Sequence, residues 1–467
     1  MRGVSAKMKV LLIRSNPKKI QNSRLPKSLS EEIGYVMPLG LAYIAAYLRE
    51  KGVPVAILDA EAEELADFQI EKRIKDFSPG IVGITTMTPT VHNDLSVARI
   101  AKDAGSMVVM GGPQINAMPR EMMQFPYVDF GILGEGEIPF YELVHAIDNN
   151  SSLDGVPGLL YKNAEGKIVT KPPYVHRNLD ELPIPARDML PYRRYSSIIQ
   201  QDRLATVCTG RGCPYRCSFC FKQPSDELIR YRSPHLVVDE MVDLKMRYGI
   251  KDINFISDTF TIKKSFIEAL CRELIDRQVN ISWIAPTRAD CVSLELMQLM
   301  KKAGCRSLRF GIESGSAAIL KLMEKEIDKE KMIDAMRLAR QAGIETFGYF
   351  IIGYLNETEH TVRETLNFVK ILKPDLLMYN IATPLPGTKF FEQSVDAGYV
   401  DSNYWQSFLL NENYPRIPYL FTDTEKWVKK AYREFFFSPR VLSKRLLNVK
   451  LSNVGRYYGA LKGLLRL

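Results

Sequence analysis

Three cysteines fall within eight residues of this chain, in Cys213-Pro-Tyr-Arg-Cys217-Ser-Phe-Cys220. Thiolates spaced four and three apart on one loop can grip a single metal centre. Thiolates are the ordinary protein ligands of iron-sulfur clusters, which usually take four. With three supplied locally, one iron keeps a position for a non-protein ligand. Two other readings compete. Structural zinc asks for four closed ligands in Cys or Cys-His sets, and the nearest histidine, His235, lies fifteen residues past Cys220. The three could also be structural thiols. Cys208 could serve as a fourth ligand but falls inside an expected strand at 205–208. The ligand logic favours the cluster.

A βα series has to present this loop. Strands are expected near 205–208, 252–256, 281–285, 307–311, 346–352 and 376–381, with helices at 236–248, 264–277, 294–303, 329–342 and 361–372. Six such repeats over residues 201–425 suit a partial parallel (β/α)6 barrel, whose ligands sit at the carboxyl ends of the strands. Polar groups stand at those ends: Ser257-Asp258-Thr259-Phe260 after the second strand, Arg288 after the third and Gly311-Ile-Glu313-Ser314-Gly315 after the fourth. Each alone reads equally as a helix cap or a surface ion pair. Their shared location makes them candidates for a ligand site.

Residues 8–150 carry a related alternation, with apolar runs at 10–14, 55–59, 81–86, 107–111 and 130–133 between amphipathic stretches at 39–51, 64–77, 91–104 and 139–147. That is the pattern of a Rossmann-like, doubly wound parallel sheet in an α/β chain. Met110-Gly111-Gly112-Pro113 and Gly134-Glu135-Gly136-Glu137 put glycines after the fourth and fifth strands, where a backbone can approach a ligand at the sheet's carboxyl edge. No G-x-G-x-x-G follows the first strand, which disfavours a dinucleotide. Residues 151–200 break the rhythm and read as a linker with a hairpin around Asn163-Ala-Glu-Gly166 and a Pro-rich connector.

With aromatic Phe219 before the last cysteine, Cys213-x3-Cys217-x2-Cys220 resembles the signature of the radical S-adenosylmethionine (SAM) superfamily, and the strand-end motifs extend the likeness over about 200–401. In that family the open iron is chelated by the amino and carboxylate groups of SAM, and an electron from the cluster cleaves SAM to a 5'-deoxyadenosyl radical. The resemblance implies that Cys213, Cys217 and Cys220 hold a 4Fe-4S cluster and carry the catalysis. It implies Phe219 near the adenine, and Asp258, Arg288, Gly311, Glu313 and Ser314 as cosubstrate contacts. It also implies an electron donor such as flavodoxin or ferredoxin. Pro384-Leu-Pro-Gly387-Thr388 follows a form the family often shows, whereas Gly353-Tyr-Leu-Asn-Glu357-Thr358 departs from the Pro-Gly pair that many relatives carry before Glu-Thr.

With Pro38-Leu-Gly-Leu-Ala42 and Gly83-Ile-Thr-Thr86, residues 8–150 resemble the cobalamin-binding domain of radical enzymes. Gly111, Gly112, Gly134, Glu135 and Gly136 would then border the cofactor. No Asp-x-His-x-x-Gly occurs and His92 falls in a different loop, so the cobalt is expected to lack a histidine lower ligand. The alternative is a domain that keeps the fold without the ligand. A cobalamin beside a radical source implies methyl transfer to an unactivated carbon. Similar enzymes use the same parts for cyclisation or oxidation, the anaerobic magnesium-protoporphyrin ester cyclases among them, and a non-catalytic iron-sulfur protein is the competing class. Methylthiolation of tRNA is disfavoured, because that group carries further N-terminal cysteines and none precedes Cys208.

A chain of 467 residues suits two or three domains, since single cores stop growing at roughly 250 to 300 residues. Seven cysteines, three of them in one loop, are no secreted disulfide framework and point to a reducing, cytoplasmic setting. No apolar run reaches the roughly 18 residues of a membrane span. The net charge of +9 sits in the tail, where from Lys426 onward 11 Lys and Arg face one acid, Glu434. The near-neutral body gives nucleic-acid binding no electrostatic support. Residues 426–467 mix those charges with Trp427, Tyr432, Phe435, Phe436 and Phe437. They read as a helical cap on the barrel, or as a peripheral contact with the anionic inner surface of a membrane, which would suit a lipid-like rather than another small-molecule substrate.

Overall fold

The computed structural model describes residues 8–17, 35–195 and 204–447. Its first sheet follows the apolar runs. β1 (Val10–Arg14), β2 (Val55–Asp59), β3 (Ile81–Thr85), β4 (Met107–Gly111) and β5 (Phe130–Ile132) run parallel in the order β2-β1-β3-β4-β5. Strands covered on both faces need no polar alternation. α1 (Leu39–Glu50) covers one face, and α2 (Asp67–Phe77) and α3 (Val91–Asp103) the other. The short α4 (Pro113–Ala117) and α5 (Pro119–Met122) precede α6 (Glu137–Asp148), which packs on α1 through Phe140 and Leu143. α2 begins later than the periodicity suggests. Glu64 takes a left-handed φ of 56°, and the Gln69 side chain accepts from the Ala66 N–H, closing the first turn there.

The hairpin expected between the two domains is part of the first sheet. β6 (Leu159–Lys162) and β7 (Ile168–Thr170) pair with each other, and β6 runs antiparallel to β5, making seven strands. The chain beyond β7 then crosses so close to Gly134 that a Cβ there would stand 2.2 Å from the Tyr174 carbonyl oxygen.

The second sheet has six parallel strands. β8 (Leu204–Cys208) is followed by a small ribbon of β9 (Gly210–Arg211) and β10 (Arg230–Tyr231), then by β11 (Asp252–Ile256), β12 (Ser282–Thr287), β13 (Cys305–Glu313), β14 (Glu345–Ile352) and β15 (Leu376–Ile381). The order β15-β14-β13-β12-β11-β8 is sequential, as in a barrel arc. Crossovers run through α7 (Pro234–Tyr248), α8 (Lys264–Asp276), α9 (Leu294–Lys302), α10 (Ala317–Leu322) with α11 (Lys329–Gln341), and α12 (Glu359–Leu372). Phe255, Phe310, Phe350 and Tyr379 belong to the outer core beneath these helices. Their alternate neighbours face the concave side.

α13 (Lys389–Asp396) and α14 (Tyr404–Leu410) carry the chain back to the first sheet, where Trp405 and Phe408 share one apolar cluster with Leu95 and Ala98 of α3. α15 (Thr424–Phe436) then lies along β15, and α16 (Pro439–Leu447) follows. Trp427, Tyr432 and Phe435 are buried, and the Tyr432 hydroxyl accepts from the Tyr379 N–H at 2.9 Å, while Lys426 and Arg433 stay exposed. This part of the tail caps the barrel edge. Residues 448–467 lie outside the described residues.

Candidate active site between the two sheets

The cysteine loop is tied down along its length. The Gly212 N–H donates to Asp258 Oδ2 at 2.9 Å and the Cys213 N–H to the Asp226 carbonyl at 2.9 Å. Lys222 Nζ donates to the Cys213 carbonyl at 3.0 Å, and the Ser218 N–H to the Met323 carbonyl at 3.0 Å. Of the three thiols, Cys217 is buried, Cys213 partly so and Cys220 exposed. Burial pushes the Cys217 thiol pKa up, Lys325 draws it down, and Glu313 raises it again. Three thiols on one anchored loop beside a buried cation are a donor set that fits iron-sulfur ligation. Among the described residues, no group of three His, Cys, Asp or Glu side chains is gathered as for a metal ion.

A cavity of about 380 Å³ opens at the carboxyl edge of the first sheet, bordered on the other side by Gly210 and Arg211 just before the cysteine loop. Strand order reverses between β1 and β3, which splits the flanking helices and leaves a crevice. Leu39, Ile132 and Phe140 give apolar walls, Gly111, Gly112 and Gly136 bring backbone to the surface, and Cys208, Arg211 and Asp258 close it from the second sheet. At Gly40 and Gly111 no atom stands within 4 Å of where a Cβ would be, so bare backbone meets the open space. Gly112 is demanded by its turn, with φ +99° and a Cβ position 2.7 Å from the Thr86 carbonyl oxygen. An apolar, glycine-edged slot fits a broad macrocycle such as a corrin. No histidine stands among its described lining residues, and His92 packs edge-on against Phe408 with ring centroids 4.6 Å apart.

Residues 207–369 match the family model of the radical SAM superfamily, and residues 32–144 match that of the B12 binding domain. An uncharacterized methyltransferase of Pyrococcus horikoshii is 36% identical over 435 residues, covering 92% of this chain and 93% of the relative. The chain belongs to the B12-binding radical SAM enzymes. The family's cofactors are therefore its own: a 4Fe-4S cluster, SAM and cobalamin. An anaerobic magnesium-protoporphyrin IX monomethyl ester cyclase of Rubrivivax gelatinosus is 31% identical over 379 residues, 79% of this chain and 68% of the cyclase. Among solved structures, the radical SAM methyltransferase TsrM from Kitasatospora setae, with cobalamin and a 4Fe-4S cluster bound, shares the fold. The TM-score is 0.68 at 23% identity, over 84% of this chain and 78% of that one.

Within this radical SAM fold the expected strand-end residues gather around the cysteine loop, but several are already satisfied by protein. Arg288 engages Asp290 at 2.9 Å and the carbonyls of Lys325 and Glu326 at 2.6 and 2.8 Å, and lies 3.9 Å from the centroid of the Tyr215 ring. It clamps the loop to the turn after α10. Ser314 Oγ is 3.1 Å from the Thr365 hydroxyl in the core. Phe219 is half-buried against the cluster containing Leu355 and Phe390. Glu313 sits at a left-handed φ of 66°, buried beside Gly311, and accepts from Lys325 Nζ at 2.9 Å. Lys325 had no signal in the sequence, because it follows a helix and only the fold returns it to a strand end.

Glu135 borders the cavity, but its carboxylate binds Arg230 at 2.9 Å, Arg211 at 3.2 Å and the His176 N–H at 2.9 Å. Glu137 accepts from Arg211 at 2.5 Å. Burial alone would raise the Glu137 pKa, yet Arg211 outweighs it and holds the carboxyl below its ordinary value. These carboxylates join the first sheet to the ribbon that opens the cysteine loop. The departing Gly353–Thr358 segment closes on itself: Glu357 accepts from the Gly353 N–H at 2.7 Å, and Thr358 caps α12.

Proposed function

We propose that this chain is a cobalamin-dependent radical SAM methyltransferase acting on an unactivated carbon of a small molecule. The observation that carries the reading is one cavity bordered by the glycine edge of the first sheet and by Asp258, whose carboxylate holds the residue before Cys213. Cys213, Cys217 and Cys220 would hold the cluster, Glu313 would take the SAM ammonium, and Gly111, Gly112 and Gly136 would border the corrin. When bound, these groups supply a hydrogen-abstracting radical and a transferable methyl. The chain's part is to fix the loop through Arg288 and Asp258, exclude water with Leu39, Ile132 and Phe140, and hold the two sheets together through Arg211.

In anaerobically reconstituted, reduced protein given SAM, Cys217→Ala is expected to lower 5'-deoxyadenosine formation at least about 100-fold, a ratio equivalent to roughly 2.7 kcal/mol. No 5'-deoxyadenosine from wild type with an intact cluster would defeat the reading in favour of a non-catalytic iron-sulfur protein. A ring-closed or oxidised rather than methylated product would move it to the cyclase type.

The electron would come from a flavodoxin or ferredoxin. Among the described residues no helix is long and apolar enough to cross a membrane. The basic tail, with Phe437 and Leu442 exposed at the α15–α16 junction, supports peripheral contact with anionic lipid and a lipid-like substrate. The full chain should sediment with phosphatidylglycerol vesicles at low salt and release at high salt. Equal sedimentation with neutral vesicles would remove that contact.

A further inference from the structure

The concave face of the second sheet holds a guanidinium that no described carboxylate pairs directly. Arg306 and Arg309 both stand on β13 and both reach across β12 to β11. Arg306 meets two carboxylates, Asp252 at 2.9 Å and Glu345 at 3.2 Å. Arg309, nearer the mouth, meets a neutral amide, Asn254 Oδ1 at 3.2 Å, and shares a hydrogen bond with Tyr349. It makes no ion pair among the described residues, and its buried Nε has no acceptor. Burial draws its pKa below the ordinary arginine value and Arg306 adds to that, while Tyr349 and, more weakly, the Asp252 carboxylate that Arg306 already engages offset part of it. A guanidinium held partly out of water with no ion pair of its own is costly, and its planar fork matches carboxylate or phosphate oxygens.

Position adds a second argument. Asn254 precedes Ile256 by two residues on β11, and Ile256 borders the cavity while remaining 38% exposed. At about 3.3 Å per strand residue, the guanidinium tier lies roughly 7 Å beneath that mouth. A ligand anchored by an anionic end in the lumen would present a carbon a few bonds away at the reaction space.

We propose that Arg309, with Asn254 and Tyr349, binds an anionic group of the substrate, a carboxylate or a phosphate. The assignment deepens the proposed function and rests on that reading for the word substrate, but its test does not pass through radical chemistry. Thermal unfolding of the full chain is followed with hexanoate, hexyl phosphate and hexanamide at matched ionic strength, in wild type, Arg309→Met, Arg309→Lys and Arg306→Met. One or both anions should raise the wild-type Tm by several degrees more than the amide, and the stronger anion names the group. Arg309→Met should lose that increment and Arg309→Lys keep part of it. Without ligand, Arg309→Met should melt at or above wild type, and Arg306→Met, which strands two carboxylates, below it.

Anions no better than the amide, or anions that stabilise Arg309→Met as well as wild type, would overturn the assignment. So would an Arg309→Met that melts as low as Arg306→Met, because the arginine would then be structural. Calorimetric titration of the reconstituted protein with SAM completes the set. A tenfold weaker Kd for SAM in Arg309→Met would give the guanidinium to the cosubstrate and end the proposal. Because no arm reads 5'-deoxyadenosine, failure here leaves the radical reading standing, and failure of that reading leaves the anion result interpretable.

Discussion

Glu240→Ala is expected to lower the free energy of unfolding by about 3–5 kcal/mol, the range for breaking a buried ion pair from one side. Glu240 on α7 is fully buried and accepts from Arg187 Nη2 at 2.5 Å and from Arg232. Arg187 also donates to the Thr206 carbonyl at 2.6 Å, and Arg232 to the Cys208 carbonyl at 3.1 Å and the Tyr43 hydroxyl at 3.4 Å. The variant strands two guanidinia in a place water does not reach. Burial alone would raise the Glu240 pKa, but the two arginines outweigh it and hold the carboxyl below its ordinary value of 4.5. A carboxyl depressed in the folded state stabilises fully above its unfolded pKa and loses that contribution as pH falls through the folded one. In urea titrations the gap between wild type and Glu240→Ala should therefore be flat from about pH 6 to 8 and narrow below about 4.5. A gap under about 1 kcal/mol at pH 7 would mean the triad is solvated and does not hold the halves together.

Gly111→Val should weaken cobalamin binding at least about 100-fold, or roughly 2.7 kcal/mol, while the unfolding transition stays within about 1 kcal/mol of wild type. The contrast follows from geometry. A Cβ at Gly111 meets no protein atom within 4 Å and its φ is not left-handed, so a valine there fits the strand end and fills the slot instead. Gly112→Val should behave oppositely and destabilise the fold, because φ is +99° and the Thr86 carbonyl oxygen stands 2.7 Å from the new atom. Hydroxocobalamin retained after gel filtration, read by visible absorbance beside thermal melts, checks both. Wild-type retention by Gly111→Val would take the corrin out of this slot.

What the sequence reveals here is local. The cysteine loop is a contiguous motif, and buried parallel strands announce themselves as apolar runs, so both sheets and the strand-end positions are legible. What a strand-end side chain does is not, because its partners are remote in the chain. Arg288 meets the Lys325 carbonyl 37 residues on, Ser314 meets Thr365, and Glu135 meets Arg230 across 95 residues. Each looked available to a ligand and is held by protein. Lys325 and Arg309 show the reverse. One follows a helix and the other sits mid-strand, so the rule that points to strand ends passes over both. The hairpin at 159–170 reads correctly as a hairpin, but nothing in its residues says that β5 will be its neighbour.

The apolar cluster that runs from α3 through Trp405 and Phe408 of α14 has a mechanical meaning. A two-jawed enzyme can load a bulky cofactor by swinging apart, but halves sharing one dry seam move as a block. Cosubstrate and substrate must then pass through a mouth of nearly constant shape, and spent products must leave the same way. A seam of this kind opposes the opening of a hinge and leaves exchange to the doorway.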